Sequence, residues 1–327
     1  MTTRSLAGRV AVVAGATRGA GRGIARMLGE AGAIVYCTGR SSRGSGSGTP
    51  SGGGRRPETI EETAEMVTSH GGEGIALRVD HMEADQVQDL FARVRSERNR
   101  LDILVNDVWG GDEATDFGKP FWELDPARGL AMLANAVHTH VITSRYAAPL
   151  LLDSAAIAGR PHGIIVEITD GDHYQYRGNL YYDLVKTTVI RLAFAQGYEL
   201  RRRNIAAVAV TPGFLRSEAM LDLFEVTEAS WRDAVARDAN FIASETPFYV
   251  GRAVAALAAD PLIMAKSGRV FSSWNLADEY HFTDQDGSTP HWGRHFAQAY
   301  QPYKICDEGF YAYLEGGPMA IFMPDWP

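Results

Sequence analysis

Residues 10–21 read VAVVAGATRGAG, in which five apolar side chains lead directly into a turn that contains three glycines. The residues from Gly21 to Ala31 then carry apolar side chains at helical spacing. A strand, a glycine turn and a helix in this order let the backbone approach a diphosphate, which lies at the helix N-terminus where unpaired N–H groups point. The stretch therefore predicts a dinucleotide site, whose turn consists of Gly15, Ala16, Thr17, Arg18, Gly19, Ala20 and Gly21.

Short apolar runs alternate with helical patterns along most of the chain. The predicted strands are Val10 to Ala14, Ala33 to Thr38, Gly74 to Asp80, Leu101 to Asn106, Gly163 to Thr169, Ile205 to Thr211 and Gly268 to Trp274. The predicted helices are Gly21 to Ala31, Glu58 to His70, Ala84 to Arg98, Pro126 to Ala158, Leu180 to Arg203 and Pro247 to Ala259. Runs such as Ile103-Leu104-Val105 lack polar alternation, which is typical of strands buried on both faces of a parallel sheet. The pattern predicts an α/β fold with a doubly wound parallel sheet of the Rossmann type, in which ligands bind at the carboxyl ends of the strands.

The chain is predicted to form a single domain over residues 1–275, followed by a C-terminal extension over residues 276–327 that packs on it. Residues 41–57 interrupt the pattern, because they include six glycines, five serines and three arginines and no apolar anchor. Such a composition favours a flexible surface insertion. A basic flap over an anionic ligand is the alternative, since arginines flank or occupy the segment, namely Arg40, Arg43, Arg55 and Arg56.

The composition excludes several classes of protein. The chain has 327 residues, of which 45% are apolar and 22% are charged, as in an average globular protein. Its net charge of −8 lacks the basic excess of a nucleic-acid binder. Two cysteines, Cys37 and Cys306, cannot form a disulfide framework, and no apolar run approaches the roughly 20 residues that span a bilayer. Since the first nine residues also lack the apolar core of a signal peptide, we expect a cytoplasmic protein.

The end of the second strand, Cys37-Thr38-Gly39-Arg40, indicates which nicotinamide dinucleotide binds. Sites for NAD usually place an acidic residue here, where it accepts a hydrogen bond from the 2′-hydroxyl of the adenosine ribose. Gly39 removes that acid, and the guanidinium of Arg40 can pair with a 2′-phosphate through two hydrogen bonds. Because Arg18 adds a second positive charge nearby, the sequence favours NADP over NAD as the cofactor.

Several further motifs occur in order after the glycine turn. They are Asp80 after the third strand, Asn106 after the fourth, Tyr182-x-x-x-Lys186, and Pro212-Gly213. Together with Gly15-x-x-x-Gly19-x-Gly21 they resemble the short-chain dehydrogenase/reductase family over roughly residues 5–275. The resemblance implies that Asp80 and His81 lie against adenine and that Asn106 steadies the sheet and the cofactor. It also implies that Phe214 and Ser217 flank the nicotinamide carboxamide. The long helices predicted at Pro126–Ala158 and Leu180–Arg203 correspond to those that the family uses in homo-oligomers.

Tyr182 and Lys186 are four residues apart and therefore lie one above the other on a helix face. A tyrosine hydroxyl ionises near pH 10 and is a weak acid or base at neutral pH, but a nearby ammonium group stabilises the phenolate. We therefore predict that Tyr182 is the acid/base and that Lys186 tunes it. Tyr181 is the rival tyrosine, and its spacing of five to Lys186 turns it off this face.

The predicted site departs from the family pattern at the end of the fifth strand, where the family places a serine that donates to the substrate carbonyl. Alignment from the strand puts Asp170 there, which we favour because loop length varies more easily than strand register. Counting thirteen residues back from Tyr182 puts Thr169 there, and it remains the alternative. A second departure concerns the proton-relay asparagine, for which counting back from Pro149 favours Ala136 and leaves Asn135 about 100° away on the helix.

The acidic residue at the serine position bears on the substrate. An ionised carboxylate cannot donate to a ketone oxygen, so Asp170 implies either a protonated acid or a cationic or strongly donating substrate group. Further acidic residues after the fourth strand favour a basic or polyhydroxylated substrate, namely Asp107, Asp112, Glu113 and Asp116. Aromatic residues in the same region form either a pocket wall or the packing of the loop itself, namely Trp109, Phe117, Phe121 and Trp122.

The residues together predict an NADP-dependent oxidoreductase that moves hydride to or from a carbonyl, alcohol or imine carbon of a small molecule. The alternative is a catalytically silent NADP-binding sensor or scaffold, as the altered serine and asparagine positions would permit. His138 and His140 are two residues apart, which does not suit a shared metal ion on a helix, so no metal site is predicted.

Overall fold

A computed structural model describes residues 4–44, 57–111, 114–157, 159, 161–172 and 176–299. Within these residues seven strands form one sheet, and all of its neighbouring strands are parallel. The strands are β1 (Val10–Ala14), β2 (Ile34–Gly39), β3 (Glu73–Arg78), β4 (Ile103–Asn106), β5 (Gly163–Ile168), β6 (Ile205–Thr211) and β7 (Val270–Ser272). Their order in the sheet is β3-β2-β1-β4-β5-β6-β7, which confirms the doubly wound Rossmann-type prediction.

Helices connect successive strands and cover both faces of the sheet. They are α1 (Gly19–Glu30), α2 (Ile60–Ser69), α3 (Ala84–Arg98), α4 (Pro126–Leu133), α5 (Thr139–Ala155), α6 (Leu180–Leu200), α7 (Glu218–Leu223), α8 (Pro247–Ala259), α9 (Ser273–Tyr280) and α10 (Trp292–Ala299). Short 3₁₀ turns lie at Phe121–Glu123, Trp231–Ala236, Ala239–Ala243 and Ile263–Lys266. In the part of the chain that is described, no helix combines the length and apolar character needed to cross a membrane.

The core consists of two apolar layers, because alternate strand residues face opposite sides of the sheet. Val13 and Val35 belong to the layer covered by α1, α2 and α8, whereas Val12 and Tyr36 belong to the layer covered by α3 and α5. The contact between α1 and α8 is so close that a Cβ atom on Gly23 would lie 2.0 Å from the Pro247 carbonyl oxygen. This approach fixes the start of α1 against the body of the domain.

The predicted bounds of the helix over 126–158 and of the last strand differ from those in the structure. The helix predicted over 126–158 divides into α4, a π-helical segment at Ala134–His138, and α5. A π segment changes the rotation per residue, so the helical-wheel argument about Asn135 and Ala136 does not apply there. The strand predicted to reach Trp274 ends at Ser272, because the Ser273 hydroxyl turns to the buried Glu245 carboxylate and α9 begins.

The predicted extension contains α10 and most of α9, which begins before it at Ser273. Leu276 itself lies in the core layer under α8, so the extension starts inside the domain. Most of the predicted 41–57 insertion, with Arg55 and Arg56, lies outside the described residues, as do residues 300–327. The predicted boundary at 275/276 stays a prediction.

Candidate active site

The glycine turn lies at the carboxyl ends of β1 and β4 and is packed against the residues that follow β4. Gly15 has a φ of +91°, and a Cβ atom there would lie 2.4 Å from the Asp107 carbonyl oxygen. A Cβ atom on Gly21 would lie 2.3 Å from the Gly15 carbonyl oxygen. Only glycine fits these two positions, so the turn can pack tightly against the residues that follow β4 and bring the start of α1 to this edge of the sheet.

Asp107 lies directly behind this turn and accepts a hydrogen bond from the Gly21 amide. Desolvation raises the pKa of its carboxyl group to about 7, and the Lys186 ammonium and His140 oppose this rise. The sequence marked Asp107 only as one member of an acidic loop. Asp116 of the same loop instead pairs with Lys119 at 3.0 Å. Asp112 and Glu113 lie outside the described residues.

Two arginines border the turn beyond β2. Arg40 lies 3.9 Å from the Asp80 carboxylate, and the guanidinium of Arg18 donates to the Ser41 hydroxyl at 3.4 Å. About 40% of each arginine side chain is exposed, with Arg40 at 41% and Arg18 at 38%. The Glu58 carboxylate lies 3.9 Å from Arg18 and partly offsets its charge. The structure thus brings Arg18, Arg40 and Asp80 to one edge of the turn.

His81 and Asn106, which the family resemblance assigned to the cofactor, are buried beneath this edge. The His81 ring lies between the hydroxyls of Thr38 and Thr143, each 2.8 Å from a ring nitrogen. Burial lowers the pKa of His81 to about 4, so the ring is neutral at physiological pH. Asn106 donates to Glu167 at 3.0 Å, and in the sheet these two residues are register partners.

Glu167 and His140 form a buried polar pair that sequence reasoning missed. Nδ1 of His140 lies 2.8 Å from a carboxylate oxygen of Glu167, and Nε2 lies 3.2 Å from the Val108 carbonyl oxygen. Each ring nitrogen of His140 therefore has a partner on another element, which fixes the orientation of the ring. His138, on the same segment, is exposed. Among the described residues no group of three or more His, Cys, Asp or Glu side chains could hold a metal ion.

Tyr182 lies in the first turn of α6, which Asn179 caps by accepting from the Tyr182 amide at 3.1 Å. Its hydroxyl donates to a carboxylate oxygen of Asp170 at 2.9 Å. The Lys186 ammonium lies 5.4 Å from the centre of the Tyr182 ring and 4.2 Å from the centre of the Trp109 ring. A phenol, a carboxylate and an ammonium group therefore meet beside the carboxyl end of β5.

The two candidates for the serine position have different surroundings. The Thr169 hydroxyl donates to the backbone carbonyl of Lys186 at 2.7 Å and thereby ties β5 to α6. Asp170 instead presents its carboxylate to Tyr182. The rival Tyr181 packs against Gly129, where a Cβ atom would lie 2.3 Å from the tyrosine ring. Of the two candidates, Asp170 is the one that contacts the Tyr182 hydroxyl.

Aromatic rings enclose Tyr182 on two sides. The ring centres of Trp109 and Phe117 lie 5.6 Å and 5.5 Å from that of Tyr182, both edge to face. Phe121 and Trp122 pack against each other and are exposed. The four aromatic residues of the loop thus separate into a pair against the tyrosine and a pair farther along the surface.

The two residues considered for the relay position, Asn135 and Ala136, have partners of their own. Ala136 is buried in a small apolar cluster with Met132, Val185 and Val189. The Asn135 amide donates to the Ala131 carbonyl within its own helix at 3.0 Å. A Cβ atom on Gly110 would lie 3.3 Å from the Asn135 Cβ atom, so Asn135 borders the loop that carries Trp109.

The Pro212-Gly213 turn is held by a buried carboxylate. Glu245 accepts from the Gly213 amide at 2.9 Å and from the Ser273 hydroxyl at 2.5 Å. Burial raises the pKa of Glu245 to about 8, and the nearby Asp284 adds to the rise while Arg216 opposes it. Phe214 packs edge to face against Phe241 at 5.1 Å. The sequence did not single out Glu245.

Ser217 also has a structural partner, because its hydroxyl caps α7 by accepting from the Met220 amide at 3.3 Å. The residue that follows it, Glu218, contacts the start of α1. The turn after β6 and the glycine turn after β1 therefore face each other across the carboxyl edge of the sheet.

Comparisons with known proteins agree with this architecture. The family model described as enoyl-(acyl carrier protein) reductase matches residues 53–265. Dehydrogenase/reductase SDR family member 1 of Mus musculus is 35% identical over 286 residues, which cover 86% of this chain and 84% of that protein. Its Homo sapiens counterpart is 33% identical over 285 residues, with 86% of this chain and 84% of that protein covered.

Solved structures show the same fold. A short-chain dehydrogenase from Mycobacterium thermoresistibile has a TM-score of 0.70 at 20% identity and covers 88% of this chain and 92% of its own. A structure from Beutenbergia cavernae, which carries NADP at low occupancy, has a TM-score of 0.61 at 25% identity and covers 83% and 96%. The seven-stranded parallel sheet and the family match define an oxidoreductase of the dehydrogenase/reductase class. The chain belongs to the short-chain dehydrogenase/reductase family.

Proposed function

We propose that this protein is an NADP-dependent oxidoreductase that transfers hydride to or from a carbonyl, alcohol or imine carbon. The observation that carries the proposal is the meeting of the Tyr182 hydroxyl, the Asp170 carboxylate and the Lys186 ammonium beside the carboxyl end of β5. The nicotinamide would supply or accept the hydride. The chain's own task is to bind the reactants and to move a proton at the Tyr182 oxygen.

The residues at the turn fit a dinucleotide with a 2′-phosphate. Gly15 and Gly21 permit the tight turn that would bring the start of α1 to a diphosphate. Arg40 and Arg18 would pair with the 2′-phosphate, since guanidinium groups match phosphate geometry. Asp80, which lies 3.9 Å from Arg40, would face the adenine side of the same site. Lys186 would donate to ribose hydroxyls as a compact cation.

Tyr182 would exchange a proton with the substrate oxygen or nitrogen, and the Lys186 ammonium would stabilise the phenolate that remains after donation. Asp170 accepts the tyrosine proton in a hydrogen bond, so it holds the hydroxyl in a fixed direction. A carboxylate here would repel an oxyanion and attract a cation. We therefore propose a substrate with an amine, iminium or strongly donating group, which the rings of Trp109 and Phe117 would help to enclose.

A silent NADP-binding sensor or scaffold is the second candidate. One observation favours it. The Lys186 ammonium lies 4.2 Å from the centre of the Trp109 ring, and this cation–π contact competes with other ligands of the ammonium group.

Absorbance at the nicotinamide band tests the proposal, followed for NADPH with a panel of ketones, aldehydes and imines and for NADP⁺ with a panel of alcohols and amines. Turnover that depends on one substrate class supports the enzyme. Tight NADPH binding without turnover across the whole panel supports the sensor.

We also propose that the chain forms a homo-oligomer through the outer faces of α5 and α6. Val141 on α5 is 48% exposed and Leu184 on α6 is 43% exposed, which leaves apolar surface for a second copy. Light scattering of the purified protein decides between a monomer and an oligomer.

A further inference from the structure

The N-terminus of α1 is contacted by a carboxylate from a distant part of the chain. The Gly19 amide donates to Oε2 of Glu218 at 2.8 Å, although the two residues are 199 positions apart. The other carboxylate oxygen lies 3.9 Å from Nε of Arg22. A Cβ atom on Gly19 would have the Ser217 Cβ atom as its neighbour at 3.9 Å, so the Ser217 side chain also lies beside Gly19.

Glu218 is the first residue of α7 and belongs to residues 217–244, which we call the cap segment. The two ends of the cap segment are joined, because the Glu245 amide donates to the Phe214 carbonyl at 2.9 Å and the Arg216 amide to the Glu245 carbonyl at 2.7 Å. The Arg216 guanidinium also donates to the Ser244 carbonyl at 2.7 Å. These hydrogen bonds fix the base of the cap segment, and α7 begins two residues after Arg216.

The cap segment also has its own small core. Trp231 and Phe241 are buried in it, with ring centres 6.1 Å apart, and Phe224 lies 4.8 Å from Phe241. Glu218 therefore extends from the packed cap segment towards the glycine turn. Its contact with Gly19 depends on the position of the cap segment.

We infer that Glu218 is an internal anion that competes with the cofactor diphosphate for the start of α1, which couples cofactor binding to the position of the cap segment. A helix N-terminus attracts negative charge through its unpaired N–H groups and its dipole. The Gly19 amide has one proton and cannot donate fully to a carboxylate and a phosphate together. Like charges at this distance also repel. The inference rests on the NADP binding proposed above.

Three steps follow from this geometry. A dinucleotide that reaches the glycine turn displaces the Glu218 carboxylate from the Gly19 amide. The released carboxylate carries α7 with it, because Glu218 is part of that helix. Ser217, which lies between the joined base and α7, then changes its surroundings on the side where the reacting groups stand. Binding affinity is accordingly lower than it would be without the competing carboxylate.

The test compares NADPH dissociation constants, measured by fluorescence titration and calorimetry, for the wild type, Glu218→Gln and Glu218→Ala. Both variants should bind NADPH about 3- to 30-fold more tightly, the range that a charge at a helix terminus supports. Without NADPH their thermal midpoints should fall, because the Gly19 contact is lost, and the NADPH-induced rise in midpoint should grow. Glu225→Gln is the matched control, since Glu225 lies on the same segment and pairs with Arg237.

Unchanged or weaker NADPH binding by both Glu218 variants overturns the inference. A lower thermal midpoint without tighter NADPH binding shows that the contact is merely structural, and this outcome overturns the inference too. Equal tightening by Glu225→Gln would mean that general charge on the cap segment is responsible, which also contradicts the specific role of Glu218. If the wild type and every variant fail to bind NADPH, the proposed function falls together with this inference. If the wild type binds and the Glu218 variants do not tighten, only this inference falls.

Discussion

The Tyr182 hydroxyl donates a hydrogen bond to the carboxylate of Asp170 across 2.9 Å. A serine at the position of Asp170 would be able to donate to a substrate oxygen, whereas an ionised aspartate only accepts. The pair therefore holds one proton between a phenol and a carboxylate, and the neighbouring Lys186 ammonium balances the negative charge. Whatever substrate enters must replace or join this hydrogen bond.

Tyr182→Phe removes the transferable proton and keeps the ring between Trp109 and Phe117. We expect turnover to fall by at least about 10²-fold, while NADPH binding stays close to that of the wild type. Tyr181→Phe is the matched control, because Tyr181 packs against Gly129 in α4. Turnover that survives in Tyr182→Phe would move the acid role to Asp170.

Asp170→Ser and Asp170→Asn test the charge of the substrate. If the carboxylate pairs with a cationic group, both variants should lose activity on amine-bearing substrates, and Asp170→Ser should gain activity on neutral ketones. Steady-state kinetics on both substrate classes provide the measurement. Asp116→Asn removes a nearby negative charge that already pairs with Lys119 and should change little. Full activity of Asp170→Asn on an amine-bearing substrate would exclude charge pairing.

Arg40→Ala tests the choice between NADP and NAD. A hydrogen bond to a charged group contributes about 1.5–3 kcal/mol, so NADPH binding should weaken roughly ten- to a hundred-fold while NADH binding barely changes. Arg43→Ala is the control, since Arg43 pairs with Glu65 on the exposed face of α2. Equal losses for NADPH and NADH would show that Arg40 does not contact the 2′-phosphate.

Much of the fold was predictable because apolar runs and turn residues mark where its strands and helices begin and end. The predictions for Val10–Ala14, Ala84–Arg98, Ile205–Thr211 and Pro247–Ala259 agree with the structure to the residue. The predicted helix over 126–158 was wrong because a π segment interrupts it without any proline or glycine to announce the change. Local sequence carries little information about a distortion that neighbouring elements stabilise.

The residues of the candidate site also include some that the sequence predicted and some that it did not. The residues near the glycine turn and Tyr182 followed from spacing along one strand or helix. Glu167 and His140 did not, because a buried carboxylate becomes acceptable only when a partner from another element reaches it. Glu245 and Glu218 were missed for the same reason, since their partners Gly213 and Gly19 are far away in the sequence.

Asp107→Asn tests how the carboxyl group behind the glycine turn affects cofactor binding. Because the pKa of Asp107 is raised to about 7, the group is protonated below that pH and negatively charged above it. Lys186 and His140 are the cationic or titratable groups that face it. The negative form should repel a diphosphate, so the variant should match the wild type near pH 6 and bind NADPH about 3- to 10-fold more tightly near pH 8. A ratio of dissociation constants that stays constant with pH would contradict this role.

Glu245→Gln tests whether the buried carboxyl group makes stability depend on pH. The pKa of Glu245 is raised from 4.5 to about 8 in the folded protein, so the folded state holds its proton more tightly than the unfolded state does. This contribution to stability is complete below pH 4.5 and is lost as pH rises through 8. Glutamine mimics the protonated form and should accept from Gly213 and Ser273 at every pH.

The free energy of unfolding of Glu245→Gln, relative to the wild type, should therefore rise by about 1–3 kcal/mol between pH 6 and pH 9, measured by urea denaturation. Two charged groups face Glu245 in the folded protein: Asp284 adds to the rise in its pKa, and Arg216 opposes it. Glu65→Gln serves as the control, because Arg43 lowers the pKa of Glu65 and that group stays ionised throughout this range. A difference between Glu245→Gln and the wild type that does not change from pH 6 to pH 9 would show that Glu245 is ionised in the fold at pH 6, with Arg216 and the Gly213 amide stabilising its charge.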